Sequence, residues 1–513
     1  MSTQSSDNNK RIAKNTLLLY IRMFFTMAVS LYTSRAVLNT LGVVDYGVYN
    51  VVGGIVVVFS FVNGAMATAT QRYITFALGK QDEKWLKTVF STALQIHIML
   101  SGAVVLLTET IGLWFLYHKM QIPADRMTAA FWVLQCSIGA SVIMILSVPY
   151  NAAIIAHEKM SAFAYISVLE VVLKLAIVYL LLIFPVDKLI LYAFLFLAVQ
   201  LLIRICYSTY CQRHFEETNY HRVWDKTLFK EMLSFAGWNV CGNMAGMLSA
   251  QGVNLILNVF FGPAINAARG LAVQVQTAIE QFATNFQMAA NPQITKSFAH
   301  GDLESMHKLI IRTSRITFFL LFMFTLPLYF YAEDILKVWL KVVPQYTAIF
   351  LQLSLLVSIV DGVAYPLMTA AQATGKIRNF LTIIALIALM IAPISYVVLK
   401  MGAAPYMVYL VHLVVCSVIF VVRLILIKPL INLSITRYYK ELFFSILPVA
   451  IISIPLAYLV SSIVSDSSII QIFLGITSCV LIVILATYFV GMEKNEKQFV
   501  GNKIKFLYHK IKQ

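Results

Sequence analysis

Apolar residues in this chain come in long runs, not in alternating positions. Apolar residues dominate from about 15 to 38 and again from about 48 to 78; a turn with Gly42, Asp45 and Gly47 joins the two runs, and a charged stretch from Lys80 closes the second. A run of about 20 such residues crosses a bilayer core as a helix. The pattern recurs and predicts about fourteen spans, near 15–38, 48–78, 88–118, 127–156, 161–184, 188–210, 229–260, 270–295, 314–331, 346–372, 380–399, 406–428, 442–464 and 468–491. A transmembrane β-barrel would instead show segments of about ten residues with alternating polarity. The expected fold class is therefore an all-α polytopic membrane protein. Connections are short, and no gap holds a folded soluble domain.

The spans repeat. The segment ALGKQDEKWLK after span two resembles SFAHGDLESMHK after span eight. Asn39 to Gly42 resembles Asn258 to Gly262, and Pro149–Lys159 aligns without gaps on Pro366–Lys376. Each pair is offset by about 220 residues, so the copies hold six helices each and enter the membrane from the same side. The predicted organisation is a terminus at 1–14, an N-lobe at 15–210 and a linker at 211–228. A C-lobe at 229–428, two further helices at 429–491 and a basic tail at 492–513 follow.

Composition agrees: of 513 residues 60% are hydrophobic and 12% charged, with a mean hydropathy of +0.80. Globular chains are nearer a quarter charged. The net charge of +16 would suggest nucleic acid in a soluble protein. Here most Lys and Arg fall in alternate connections, which places both termini in the cytoplasm. No nucleic-acid partner is expected. The triplet His157-Glu158-Lys159 and the basic tail read as topology charge, the tail alternatively as a lipid-binding segment. The six Cys show no metal or redox spacing. No cofactor, metal site, nucleotide-binding loop or nucleophile–base pair is predicted, so the chain is expected not to be an enzyme. The first span is too long for a signal-peptide core and is expected to be retained.

Polar residues inside the spans are the candidates for function. Asn239 and Asn243 share a narrow face of span seven with Gly246, Ala250 and Asn254, either as helix–helix contact or as cavity lining. Span eight is polar on two faces, through Gln274, Gln281 and Asn285 and through Gln276, Glu280 and Gln287. Glu170 and Lys174 are spaced i, i+4 and suit a mutual ion pair. Glu280 and Asp361 have no compensating neighbour in sequence. Each is read either as a neutral carboxyl or as one that changes protonation as access alternates. Arg22, Arg35 and Arg72 lie within spans, where they reach an interface or line a cavity and bind phosphate. Arg269, in the corresponding turn of the second copy, is the fourth candidate. Arg204, at the inner end of span six, reads as reaching the interface.

The first two spans resemble the start of bacterial polysaccharide flippases. These are the O-antigen and capsule repeat-unit transporters of the multidrug/oligosaccharidyl-lipid/polysaccharide exporter (MOP) superfamily. The turn Leu-Gly…Asp-Tyr-Gly-Val-Tyr, Ser34-Arg35 before it and Gln71-Arg72-Tyr73 after it carry the likeness. The resemblance implies two six-helix lobes around a central cavity, plus two extra helices, in the bacterial inner membrane. It implies that the cargo is an undecaprenyl-pyrophosphate-linked oligosaccharide, flipped for polysaccharide synthesis, with Arg22, Arg35 and Arg72 as pyrophosphate ligands. Membrane lipids and polysaccharide polymerase or assembly proteins are the implied partners. Drug-exporting relatives typically have twelve helices and coupling carboxylates in the first lobe, whereas here Glu170 is accompanied by Lys174. Cation-coupled export of small amphipathic compounds is the alternative.

Overall fold

The computed structural model describes residues 3–57, 60–118, 122–221, 223–261, 263–340, 343–463, 469–493 and 496–498. Some side chains inside helices, those of Arg35, Asn39 and Asn258 among them, and residues 499–513 of the basic tail lie outside the described residues.

The described chain is helical from end to end. In order come α1 (Thr3–Val57), α2 (Ser60–Lys80), α3 (Glu83–Leu107), α4 (Leu113–His118), α5 (Met127–Ala156), α6 (Met160–Ile183) and α7 (Lys188–His214). Then follow α8 (Lys226–Phe261), α9 (Pro263–Ala299), α10 (Leu303–Phe330), α11 (Ala332–Leu340), α12 (Thr347–Thr374), α13 (Arg378–Leu389) and α14 (Ile391–Lys400). Last are α15 (Met407–Ile431), α16 (Ile435–Ile463) and α17 (Ile469–Ala486). In hydrocarbon only a helix or a closed barrel satisfies every backbone group, so apolar sequence of this kind folds segment by segment into helices.

Local chemistry sets the ends and breaks. Asp82 caps α3 by accepting from Trp85 N, and Asp187 caps α7 by accepting from Leu189 N and Ile190 N. The long α1 breaks at Gly42, whose φ of 80° and ψ of 168° suit glycine. That break is the turn expected between the first two spans. A π-helical turn at Thr108–Gly112 joins α3 to α4 without ending the span.

Among the described residues eleven helices are long and apolar enough to cross a membrane. α1, α2 and α9 occupy the other three expected spans. Of these, α9 is interrupted by polar residues, Gln274, Gln276, Glu280, Gln281, Asn285 and Gln287. Large apolar side chains point outward along the apolar spans, as with Leu182, Ile183, Ile451 and Phe473, each more than 60% exposed. In water such a surface would aggregate, whereas in lipid it is solvated.

The described helices form two compact units, Met1–Met244 with Met288–Asp302, and Ala245–Gln287 with Leu303–Gln513. In the first, α5 is central and packs on α2, α3 and α7, while α1 lies against α6. Its apolar core includes Val52, Leu116, Val133, Leu134 and Leu189. In the second, α12 packs on α10 and α15 around Leu257, Leu336, Phe350, Leu351 and Leu355. The last two helices, outside the repeat, lie against α10. Tyr438 donates to Ser314 at 2.9 Å, and the buried Arg315 reaches Glu493 at 2.7 Å and Glu496 at 2.6 Å.

The repeat is visible in the backbone. Gln81 (φ 57°) and Gly301 (φ 77°) occupy equivalent left-handed turns, as do Glu158 (φ 59°) and Gly375 (φ 76°). In both pairs the second copy uses glycine and the first does not.

Candidate functional site

The first unit gathers a polar cluster on α1, α6 and α7. Glu170 and Lys174, one turn apart on α6, form the expected pair at 2.6 Å. Gln200 of α7 donates to the same carboxylate oxygen at 3.2 Å, a partner 30 residues away that helical spacing did not signal. Tyr207 of α7 lies in the electrostatic field of both Glu170 and Arg22. The Arg22 guanidinium sits 4.7 Å from the centre of the Phe163 ring, which suits a cation held out of water. Among the described residues, the cluster brings together Arg22, Lys174 and Glu170.

Arg72 sits elsewhere. Its guanidinium is surrounded by the rings of Tyr73, Phe76 and Phe235, at 4.5, 5.1 and 5.4 Å, with Glu231 nearby. Arg72 is thus embedded among rings of its own helix and α8. Arg204 lies 4.0 Å over the Tyr150 ring, so a ring on α5 meets the charge expected to reach the interface. The Arg35 side chain lies outside the described residues. Asn239 is buried and donates back to Phe235 O at 2.8 Å, while Asn243 is exposed.

Four further candidates belong to the second unit, and Arg269, Glu280 and Asp361 each have their own partners. Arg269 donates to Asn254, whose amide in turn reaches Gln251 at 3.2 Å. Glu280 accepts from Gln276 at 2.9 Å and from Ser358 at 2.6 Å. Asp361 meets Arg423 of α15 at 2.8 Å. The carboxylate without a neighbour in sequence is therefore paired across 62 residues. Gln281 is exposed. Among the described residues no three His, Cys, Asp or Glu side chains converge as metal ligands do.

Two features escaped the sequence reading. Arg126 bridges Asp45, at the α1 break, and Asp187, at the start of α7, at 2.7 Å from Asp187. Burial raises the Asp187 carboxyl pKa, but the Ile190 and Leu189 amides and the Arg126 guanidinium together outweigh it and hold the group below its ordinary value. The second is Glu158. It lies in the α5–α6 turn, and its side chain is buried and bonded to Gln293 and Lys296 of α9.

No family model matches the chain, and no curated protein matches it either. Solved structures do. A MATE transporter in its bent conformation superposes with a TM-score of 0.72 at 12% identity, over 83% of this chain and 97% of that one. A mutant of the Vibrio cholerae MATE transporter VcmN gives 0.67 at 15% identity, over 85% and 100%. A MOP-superfamily transporter from Pyrococcus furiosus with a binding pocket of reversed polarity gives 0.66 at 13% identity, over 82% and 96%.

The chain has the MATE fold. At these identities the likeness speaks for architecture: an all-α, multi-pass membrane protein built like the transporters of the MOP superfamily.

Proposed function

We infer that the chain is a membrane transporter and not an enzyme, that it works by alternating access in a bacterial inner membrane, and that both its termini are cytoplasmic. The MATE-like fold and the charge bias of the connections support this. The cargo we favour is an anionic amphiphile, an undecaprenyl-pyrophosphate-linked oligosaccharide destined for surface polysaccharide. One observation carries that choice. Among the described residues, the polar cluster of the first unit brings two cationic side chains, Arg22 and Lys174, together with Glu170. Cationic side chains on these helices suit phosphate oxygens, which guanidinium binds in a planar fork. Polysaccharide assembly proteins and membrane lipids are the partners this reading expects.

The test is a leaflet assay. Purified protein is reconstituted with fluorescent undecaprenyl-pyrophosphate oligosaccharide, and protection from a membrane-impermeant quencher is followed. Protein-dependent crossing is expected, and Arg22→Ala should slow it about tenfold or more, the effect of one lost charge-assisted hydrogen bond. No crossing by a folded protein would sink the reading.

A second reading, cation-coupled export of small amphipathic compounds, has two supports. Several of the structures similar to this chain are MATE transporters, one of them a multidrug resistance transporter. Glu280 is met by neutral donors, Gln276 and Ser358, as suits a carboxyl that exchanges a proton. Drug accumulation in cells with and without the protein, and with Glu280→Gln, separates the two.

A further inference from the structure

The inner end of α9 is gripped inside the first unit at three points. Ala289 is buried against Leu19, Ile155 and Met160. Further along, Gly79 at the end of α2 makes a close approach: a Cβ there would stand 2.5 Å from Ala299 Cβ and 3.3 Å from Lys296 Cα. Between these points along α9, Lys296 Nζ donates to Glu158 at 2.7 Å and the Gln293 amide donates to its other oxygen. The Glu158 side chain is 1% exposed. Its backbone carbonyl accepts from Asn15 of α1 at 3.2 Å. One residue of the α5–α6 turn thus touches α1 at Asn15 and the end of α9.

The backbone shows that this side chain is not incidental. Glu158 takes a left-handed conformation, and the equivalent position in the second copy is Gly375. A side chain is disfavoured there and glycine is not. Keeping glutamate where the second copy has glycine points to the carboxylate. A buried ion pair is close to break-even, because desolvation offsets attraction. It sets register without holding tightly, and either partner regains its hydration when the contact opens. Those properties suit a contact that is made and broken.

We propose that Glu158 is a latch: its carboxylate holds the inner end of α9 on the α5–α6 turn, and transport releases and remakes that grip. The purpose of the latch rests on the transporter reading above, whereas its test needs no cargo. Ala299, 4% exposed, is replaced by Cys in the full chain. Labelling by a hydrophilic maleimide is then measured above that of the parent with its own cysteines.

Labelling at this position is expected to be slow, and to rise about tenfold with Glu158→Gln, the effect of losing a charge-assisted hydrogen bond. Glu158→Gly should do the same while relieving the backbone, so folding is not at stake. Exchanging the charges, Glu158→Lys with Lys296→Glu, should restore most of the protection. The latch is overturned if labelling is unchanged in Glu158→Gly, or if Ala299→Cys labels rapidly before any change at Glu158. Failure here leaves the leaflet assay standing, and failure there leaves this contact standing.

Discussion

The two copies of the repeat solve the same problem with different chemistry. Arg204 on α7 and Arg423 on α15 occupy equivalent places in sequence, 219 residues apart by direct count. Arg204 lies over the Tyr150 ring of α5, whereas Arg423 is paired with Asp361 of α12, the equivalent helix. At the left-handed turns the contrast reverses. The first copy keeps Gln81 and Glu158 where the second has Gly301 and Gly375. A duplicated architecture therefore constrains where a charge or a turn falls, and leaves each copy free to choose what meets it.

The sharpest way to break the comparison is to remove the partners. Asp361→Ala strands the guanidinium of Arg423, which is 14% exposed. It should cost about 2 kcal/mol, less than a fully buried pair because Asp361 is itself half exposed. Replacing Arg204 by Met removes only a cation–ring contact and should cost about 0.5–2 kcal/mol. Thermal unfolding of the purified proteins in one detergent reads both. Equal losses would mean that ring and carboxylate are interchangeable here.

Exchanging the turn residues comes next. A Cβ at Gly301 meets nothing within 4 Å, so Gly301→Gln should cost only the conformational term, about 1–2 kcal/mol. Gln81→Gly should gain less than about 1 kcal/mol, since glycine also frees the unfolded chain. A neutral Gly301→Gln would show that the left-handed turn is not enforced.

The smallest effect concerns the Arg126 bridge. The folded Asp187 carboxyl titrates below its ordinary value. Its contribution is therefore complete above the unfolded value of about 3.9 and is lost as pH falls through the lower folded one. Melting temperature measured from pH 6 downward should fall in that acidic window, and the fall should shrink in Arg126→Gln. An identical profile in the variant would remove Asp187 from the account.

Much of the architecture is legible from local pattern. The apolar runs, the turn at Gly42, the six-helix offset and the Glu170–Lys174 pair each depend on residues close in sequence or on direct self-comparison. The partners of the candidate charges are not local. Nothing around Asp361 indicates Arg423, and nothing around Glu158 indicates Lys296, 138 residues away. The arginines show the same limit. A guanidinium over Phe163, one caged by Tyr73, Phe76 and Phe235, and one on Tyr150 look alike in sequence, because the rings that receive them stand mostly on other helices.

Sequence by itself determined that this chain is a multi-pass helical membrane protein with an internal repeat. Backbone satisfaction in lipid is a property of each segment alone, so apolar length and turn residues suffice to read it. Only the tertiary structure decided which buried charges meet carboxylates, rings or neutral donors. A charge in a low-dielectric interior responds to whatever stands within a few ångströms, and those neighbours come from helices that packing, not sequence distance, brings together.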